Sequence, residues 1–200
     1  MKIQMSFTNY NGQISVDERE QFIVANELVT ECNDHHQLIP MIEKSRETLG
    51  RVPDVVKGDN GYHAELIEAV NKYKDTQFYI DDRNRRKEDL DMNKMKKEYD
   101  EIKYKNLERL VSVEGTKEYK KRMHTAEPPF GWMKFNSGYR YFLMRGKEKV
   151  GGEFNLLCIG YNLKKIKKYM EKVKLTIGGI KEILSGIGNG IGTNIHVTKG

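Results

Sequence analysis

The chain has little cysteine: two in 200 residues, Cys32 and Cys158, neither in a C-x-x-C pair. That argues against a disulfide framework and against a zinc site, and it fits a reducing cytoplasm. Long apolar runs are missing too. A membrane-spanning helix needs roughly 18 or more consecutive apolar residues. The best stretch, Leu175–Gly192, is interrupted by Lys181, Glu182 and glycines, so no membrane span is expected. The first residues, MKIQMSFTNYNGQ, lack the apolar centre of a signal peptide. Hydrophobic residues make up 38% of the chain, less than the usual share for a globular domain. There is no internal repeat.

Charge is plentiful. Charged residues reach 32% and the net charge is +6, which favours an anionic partner without identifying it. The excess is concentrated between Lys117 and Lys149, where nine bases face three acids. Tyr119, Phe130, Trp132, Phe135, Tyr139, Tyr141 and Phe142 are interleaved with those bases. A basic run is often only a solvated face. Aromatics among the bases favour nucleic acid, because bases stack on rings while lysine and arginine meet phosphates.

Hydropathy patterning gives an α/β order. Gln13–Val16 alternates, as a half-buried strand does, and Phe22–Val29 (FIVANELV) is more continuously apolar, as a central strand would be. The polar link DERE predicts a hairpin between them. Asp34 is expected to cap a helix whose inner face is Leu38, Met41, Ile42 and Leu49, ending at Gly50. A short strand over 53–57 leads to Gly58-Asp59. A helix over 63–73 and a strand over 77–80 follow. Asp81–Val113 reads as one long surface helix with a frayed start. Another runs from about Val113–Thr116 toward Glu127, where Pro128 and Pro129 are expected to bend or stop it. A last helix covers 147–170. Two units result: a domain over 1–170 and a glycine-rich tail over 171–200, the latter expected to be poorly ordered.

Two acids stand out. Asp59 follows a strand, where a loop turns and a ligand can be positioned. Glu127 lies in the basic helix with Tyr119 and Arg122 before it and Lys134 after it. Phosphodiester hydrolysis or transfer needs an activated nucleophilic oxygen and a stabilised leaving oxygen, and paired magnesium ions supply both. Magnesium prefers oxygen ligands converging from different elements. Each acid also has a plain reading. Asp-Asn-Gly is good turn chemistry, and a glutamate before proline can simply close a helix. His35 and His36 point to different faces, His63 reads as a capping or solvent-facing residue, and Cys158 and Trp132 read as packing.

Residues 10 to 169 resemble the C-terminal part of a DDE transposase from a bacterial insertion sequence. YNGQISVD with FIVANELV, then NDHHQLIPMIE and GDNGYH, resemble the family's middle strands, helix and second catalytic aspartate. YKKRMHTAEPPFGWMK and GYRYFLMRGKEKVGGEFNLLCIGYNL resemble its Tyr-Arg-Glu-Lys block. The resemblance implies a ribonuclease-H-like mixed sheet with flanking helices. It makes Asp59 the second and Glu127 the third catalytic, metal-binding acid, with Mg2+ or Mn2+ as cofactor. Tyr119, Arg122 and Lys134 become contacts to transposon-end DNA. DNA ends and target are the implied partners, with a second copy or a full-length transposase as a further one, in the cytoplasm at the nucleoid.

Three departures accompany it. The family's first aspartate, on a central strand before the YNGQ region, has no counterpart. The sheet is therefore expected to lack its first strand, leaving an edge unpaired and part of the core uncovered, with marginal stability or association with a partner as the result. Two prolines rather than one follow Glu127. The end after Met170 does not match. These features give three rival expectations: a transposase fragment with impaired cleavage and strand transfer, a DNA-binding remnant that interferes with an intact transposase, or a nuclease in which Asp17 supplies the third acid.

Overall fold

The computed structural model describes residues 10–31, 34–173 and 194–199. It is a mixed α/β structure. The expected hairpin is present as β1 (Asn11–Asp17) and β2 (Ile23–Val29), antiparallel, with Asn11 opposite Val29. Opposite Ser15–Val16 the register slips, so Val24 has no partner on β1. This bulge lets β2 send Ile23 and Leu28 to one core and Val24 and Ala25 to another. Helix α1 (Leu38–Leu49) closes at Gly50 as expected. Its N-cap, however, is Gln37, with no side-chain hydrogen bond. Strand β3 (Val55–Gly58), a 3₁₀ turn over Asn60–Glu65, α2 (Leu66–Lys72) and β4 (Gln77–Ile80) follow.

The segment expected to be one long helix is three pieces. A 3₁₀ turn at Arg83–Arg86 precedes α3 (Met92–Glu98) and α4 (Glu101–Val111). Asp82, Asp91 and Asp100 each accept backbone N–H groups at the start of a piece. An aspartate offers that alternative to the helical ladder wherever it occurs. Helix α5 (Val113–Gly131) and a π-helical turn (Trp132–Asn136) come next, then α6 (Lys147–Val173).

The largest difference from expectation lies at the C-terminus. Asn194–Lys199 is a strand, β5, inside the sheet, whose order is β2-β1-β5-β3-β4. It runs antiparallel to β1 and parallel to β3. The place next to β1 that was expected to be vacant is therefore filled by the chain's own end. The rest of the predicted tail, 174–193, lies outside the described residues. Nor are the outer strands left bare. Asn162 of α6 accepts from the Ile23 amide and donates to its carbonyl, at 2.9 and 2.8 Å. Asn106 of α4 does the same for Ile80, at 3.1 and 2.8 Å. A side-chain amide thus stands in for a neighbouring strand on each edge.

Both faces are covered. One holds α1 and α2 against Val56, Phe78 and Ile80. The other packs Ile14 and Val16 against Phe130, Met133, Val150 and Phe154, with Tyr79, Leu110 and Tyr119 beside them. Among the described residues no helix is long and apolar enough to cross a membrane.

Candidate active site

Helix α5 carries most of the sequence-predicted site, and its entry is fixed by one residue. Ser112 ends α4 through its N–H and caps α5 by accepting from Gly115 N–H at 3.0 Å. A Cβ on Gly115 would lie 1.8 Å from the Arg109 carbonyl oxygen, so this elbow admits only glycine. From it α5 crosses the sheet face above β3 and β5. The prolines were expected to bend or stop it; the helix does not stop and continues through Pro128 and Pro129 to Gly131. A proline at 128 leaves the His124 carbonyl without its helical donor. Gln21 Nε2 donates to that carbonyl at 3.1 Å, and the helix survives. Glu127 is exposed on the last full turns.

Asp59 is where the sequence placed it, directly after β3. One carboxylate oxygen accepts from Gly61 N–H at 2.9 Å, and the other lies 3.5 Å from the Arg122 guanidinium. Gly61 is pinned between two acids: a Cβ there would sit 2.6 Å from Asp34 Oδ2 and 3.0 Å from Asp59 Oδ1. Asp34, expected to cap a helix, instead accepts from Asn11 Nδ2 at 2.9 Å and Gln13 Nε2 at 2.7 Å. Tyr62 donates to Gln13 in turn. Burial, with Asp59 and Asp34 adding to it, pushes the Tyr62 phenol well above its usual pKa, so it stays a donor. Sequence reading missed this buried chain, because only the fold brings 11, 13, 34 and 62 together.

Tyr119 is buried against Tyr79 and Leu110, with the Arg85 guanidinium 4.4 Å from its ring centre. Burial raises its pKa. Lys134 is also buried, 6.0 Å from the Phe130 ring centre, and burial lowers its pKa. Arg122 reaches Asp59 from α5. The structure thus brings Asp59 and Arg122 together, holds Tyr119 and Lys134 inside, and leaves Glu127 on the surface. His63 lies 3.3 Å from Asp82. Cys158 is buried, its pKa pushed up to about 12, and Cys32 lies outside the described residues. Trp132 packs edge-on to Tyr161, ring centres 5.8 Å apart.

Asp17 is on the wrong face to be the third acid. Val16, His196 and Lys57 are register partners across β1, β5 and β3, and His196 and Lys57 both contact Glu18 on the α5 side. Asp17 is one residue on, so it faces the other way. It is fully buried and accepts from Glu20 N–H at 2.6 Å.

Beside Asp59 lies an ionic cluster the sequence did not announce. Lys57 is fully buried and pairs with Glu18 and, at 2.6 Å, with Glu118. Lys121 joins the same two acids at 3.3 and 2.6 Å, and His196 Nε2 is 3.1 Å from Glu18. The hydrogen bond with His196, helped by Lys57, holds the Glu18 carboxyl far below its ordinary range. Glu118 is lowered as well: bonds from Lys121 and Lys57 outweigh the opposing effect of burial. Burial lowers the His196 imidazole pKa despite Glu18. All three shifts have the same consequence for stability. A group whose folded pKa is depressed favours the native state above its unfolded pKa and withdraws that preference as pH falls. We expect the denaturation midpoint to fall as pH drops below about 6.5, where unfolded histidine titrates, and again below about 4.5, where glutamate does. Chemical denaturation from pH 8 to 4 measures it. His196→Gln should flatten the upper part of the loss, and an unchanged profile would contradict the placement of His196.

Residues 79–167 match the family model described as a transposase DDE domain. The match runs from β4 into α6 and includes Tyr119, Arg122, Glu127 and Lys134 but not Asp59. Neither the curated proteins nor the solved structures contain a match to the chain.

Proposed function

We propose that the chain works on DNA as part of a DDE transposase, with Asp59 and Glu127 as two of its metal-binding acids and the fold a ribonuclease-H-like sheet. The observation that carries this is the Asp59–Arg122 ion pair, 3.5 Å. Arg122 and Glu127 lie on α5, inside the stretch similar to transposase DDE domains, and Arg122 ties that stretch to Asp59, which lies outside it. The sheet order supports the fold. A central strand runs parallel to β3 and β4 and antiparallel to β1, with α5 crossing one face.

Carboxylate oxygens are the donors magnesium and manganese prefer. However, among the described residues no group of three or more histidine, cysteine, aspartate or glutamate side chains is arranged to hold a metal ion. Asp59 is shared between Gly61 and Arg122, while Glu127 faces solvent. The described residues therefore do not make a complete magnesium site. What the chain's own groups do is hold Asp59 at the sheet's end and offer cations to phosphates.

That incompleteness favours a second reading, a DNA-binding protein with little or no cleavage. Lys117, Lys120, Arg140, Arg145, Lys147 and Lys149 are all exposed. DNA affinity should fall steeply with salt. Replacing Lys117, Lys120 and Arg140 by alanine should reduce the log–log salt slope by about 2.7, roughly 0.9 per lost phosphate contact. Fluorescence anisotropy with duplex DNA measures this. An unchanged slope would mean the basic segment is only a solvated face. Nicking of the same duplex with magnesium or manganese then separates the two readings, since any real activity should vanish with Asp59→Ala.

A further inference from the structure

Where α5 gives way to the π-helical turn, a cavity of about 450 Å3 opens between that turn and α6. Its walls are of two kinds. Trp132, Phe135 and Tyr161 supply ring surface, and Lys164, Lys165 and Lys168 supply positive charge. Trp132 is half-buried and Phe135 is 62% exposed. Lys164 lies 5.4 Å from the Trp132 ring centre and Lys165 5.9 Å from that of Tyr161. Neither Lys164 nor Lys168 is in an ion pair with any described residue. Lys165 is half-buried and donates to Gln21 Oε1 at 2.8 Å. Burial and the neighbouring Lys168 and Lys164 lower its pKa.

The place matters as much as the lining. Pro128, the residue after Glu127, is part of the wall. So is Gln21, whose amide bonds the carbonyl of His124 one turn before Glu127. Gln21 has a positive φ of 60°, an uncommon backbone for a non-glycine residue. The cavity is built onto the same turns of α5 that present Glu127.

We propose that this cavity receives one unstacked nucleotide of a DNA strand, its base against Trp132 and Phe135 and its flanking phosphates on Lys164 and Lys168. The chemistry favours that occupant. Stacking on an aromatic side chain tolerates any base, and clustered lysines track the phosphates on either side. The volume lies within the range of small-ligand pockets. A paired base cannot enter, because its faces are covered by its neighbours. The pocket is thus selective for a frayed or single-stranded segment beside Glu127. This inference rests on the DNA reading given above.

The chain reports the event itself, because Trp132 is its only tryptophan. Titrating the intact protein with a short oligothymidylate should quench tryptophan emission. An oligonucleotide of the same length with abasic sites, and a blunt duplex, should leave emission nearly unchanged. Phe135→Ala, at an exposed position, should weaken single-strand binding about tenfold, within the range for loss of one base–aromatic stack. Lys164→Ala with Lys168→Ala should lower the salt slope by about 1.4, roughly 0.7 for each single-strand phosphate contact. DNA binding by anisotropy with no change in emission would overturn the pocket and leave the DNA reading standing. Equal quenching by the abasic strand would also overturn it, since no base would then be involved. Absence of binding to any DNA would overturn both.

Discussion

Val197→Pro should strongly destabilise this protein. In β5 every backbone N–H faces either β1 or β3, because the strand is paired on both sides, Val197 opposite Ser15 and opposite Gly58. Proline removes one of those donors, and its ring fits only at sheet edges or bulges. The cost is about 3 kcal/mol or more, a large part of the few kcal/mol that usually separate folded from unfolded states. For a chain of this length the melting temperature should fall by about 6–12 °C. The effect has a structural reason beyond the lost bond. Without β5 the sheet separates into the β1–β2 hairpin and the β3–β4 pair, and neither is stable alone. Thermal denaturation followed by far-UV circular dichroism is sufficient. A melting point within about 2 °C of the parent would show that 194–199 contributes nothing to the sheet.

That central strand was also the least legible part of the sequence. Ile195, Val197 and Thr198 are β-branched, which suits a strand, but the run is short and follows a glycine-rich stretch. Local composition suggested a tail, and only the exposed inner edges of β1 and β3 call for a strand there. The hairpin, β3, β4 and α6 were legible because alternation, turn chemistry and helical spacing act over a few residues. The end of α5 was not. Two prolines say bend or stop, and the carbonyl that Pro128 leaves without a donor is met by Gln21, 103 residues from His124. The break-up of 81–113 was readable in principle, since Asp82, Asp91 and Asp100 each sit one residue before a helical piece. Of the candidate site residues, Asp59 and Arg122 are in contact, 3.5 Å apart. Spacing along a helix says which residues share an element, but not whether a side chain such as Tyr119 or Lys134 is turned inward. Asp34 shows the converse: a good cap by sequence was drawn instead into a bond with Gln13 from a neighbouring strand.

Thr198→Asp should turn a poor cation site into a real one. Gly58 is the register partner of Val197, and the backbone at Asp59 is still extended, φ −81° and ψ 179°. Continuing the parallel register by one residue sets position 198 beside Asp59. Positions 196 and 198 share a face, as do 57 and 59, and His196 and Lys57 both contact Glu18. Adjacent strands are about 4.8 Å apart, a separation that one divalent ion can bridge with two carboxylates. The resemblance to DDE transposases asks for an acid on a central strand, and this is where the register would put one. A second carboxylate about 4 Å from a divalent ion contributes several kcal/mol at an effective dielectric near 20. Repulsion from Asp59 and competition from Arg122 return part of that. Manganese should bind about ten- to a hundredfold more tightly, and adding Asp59→Ala should cancel the gain. Isothermal titration with Mn2+ reads the effect directly, and Thr198→Asn is the control that changes shape without charge. If the aspartate and asparagine variants bind manganese equally, position 198 does not adjoin Asp59, and the parallel pairing of β5 with β3 does not extend to the site.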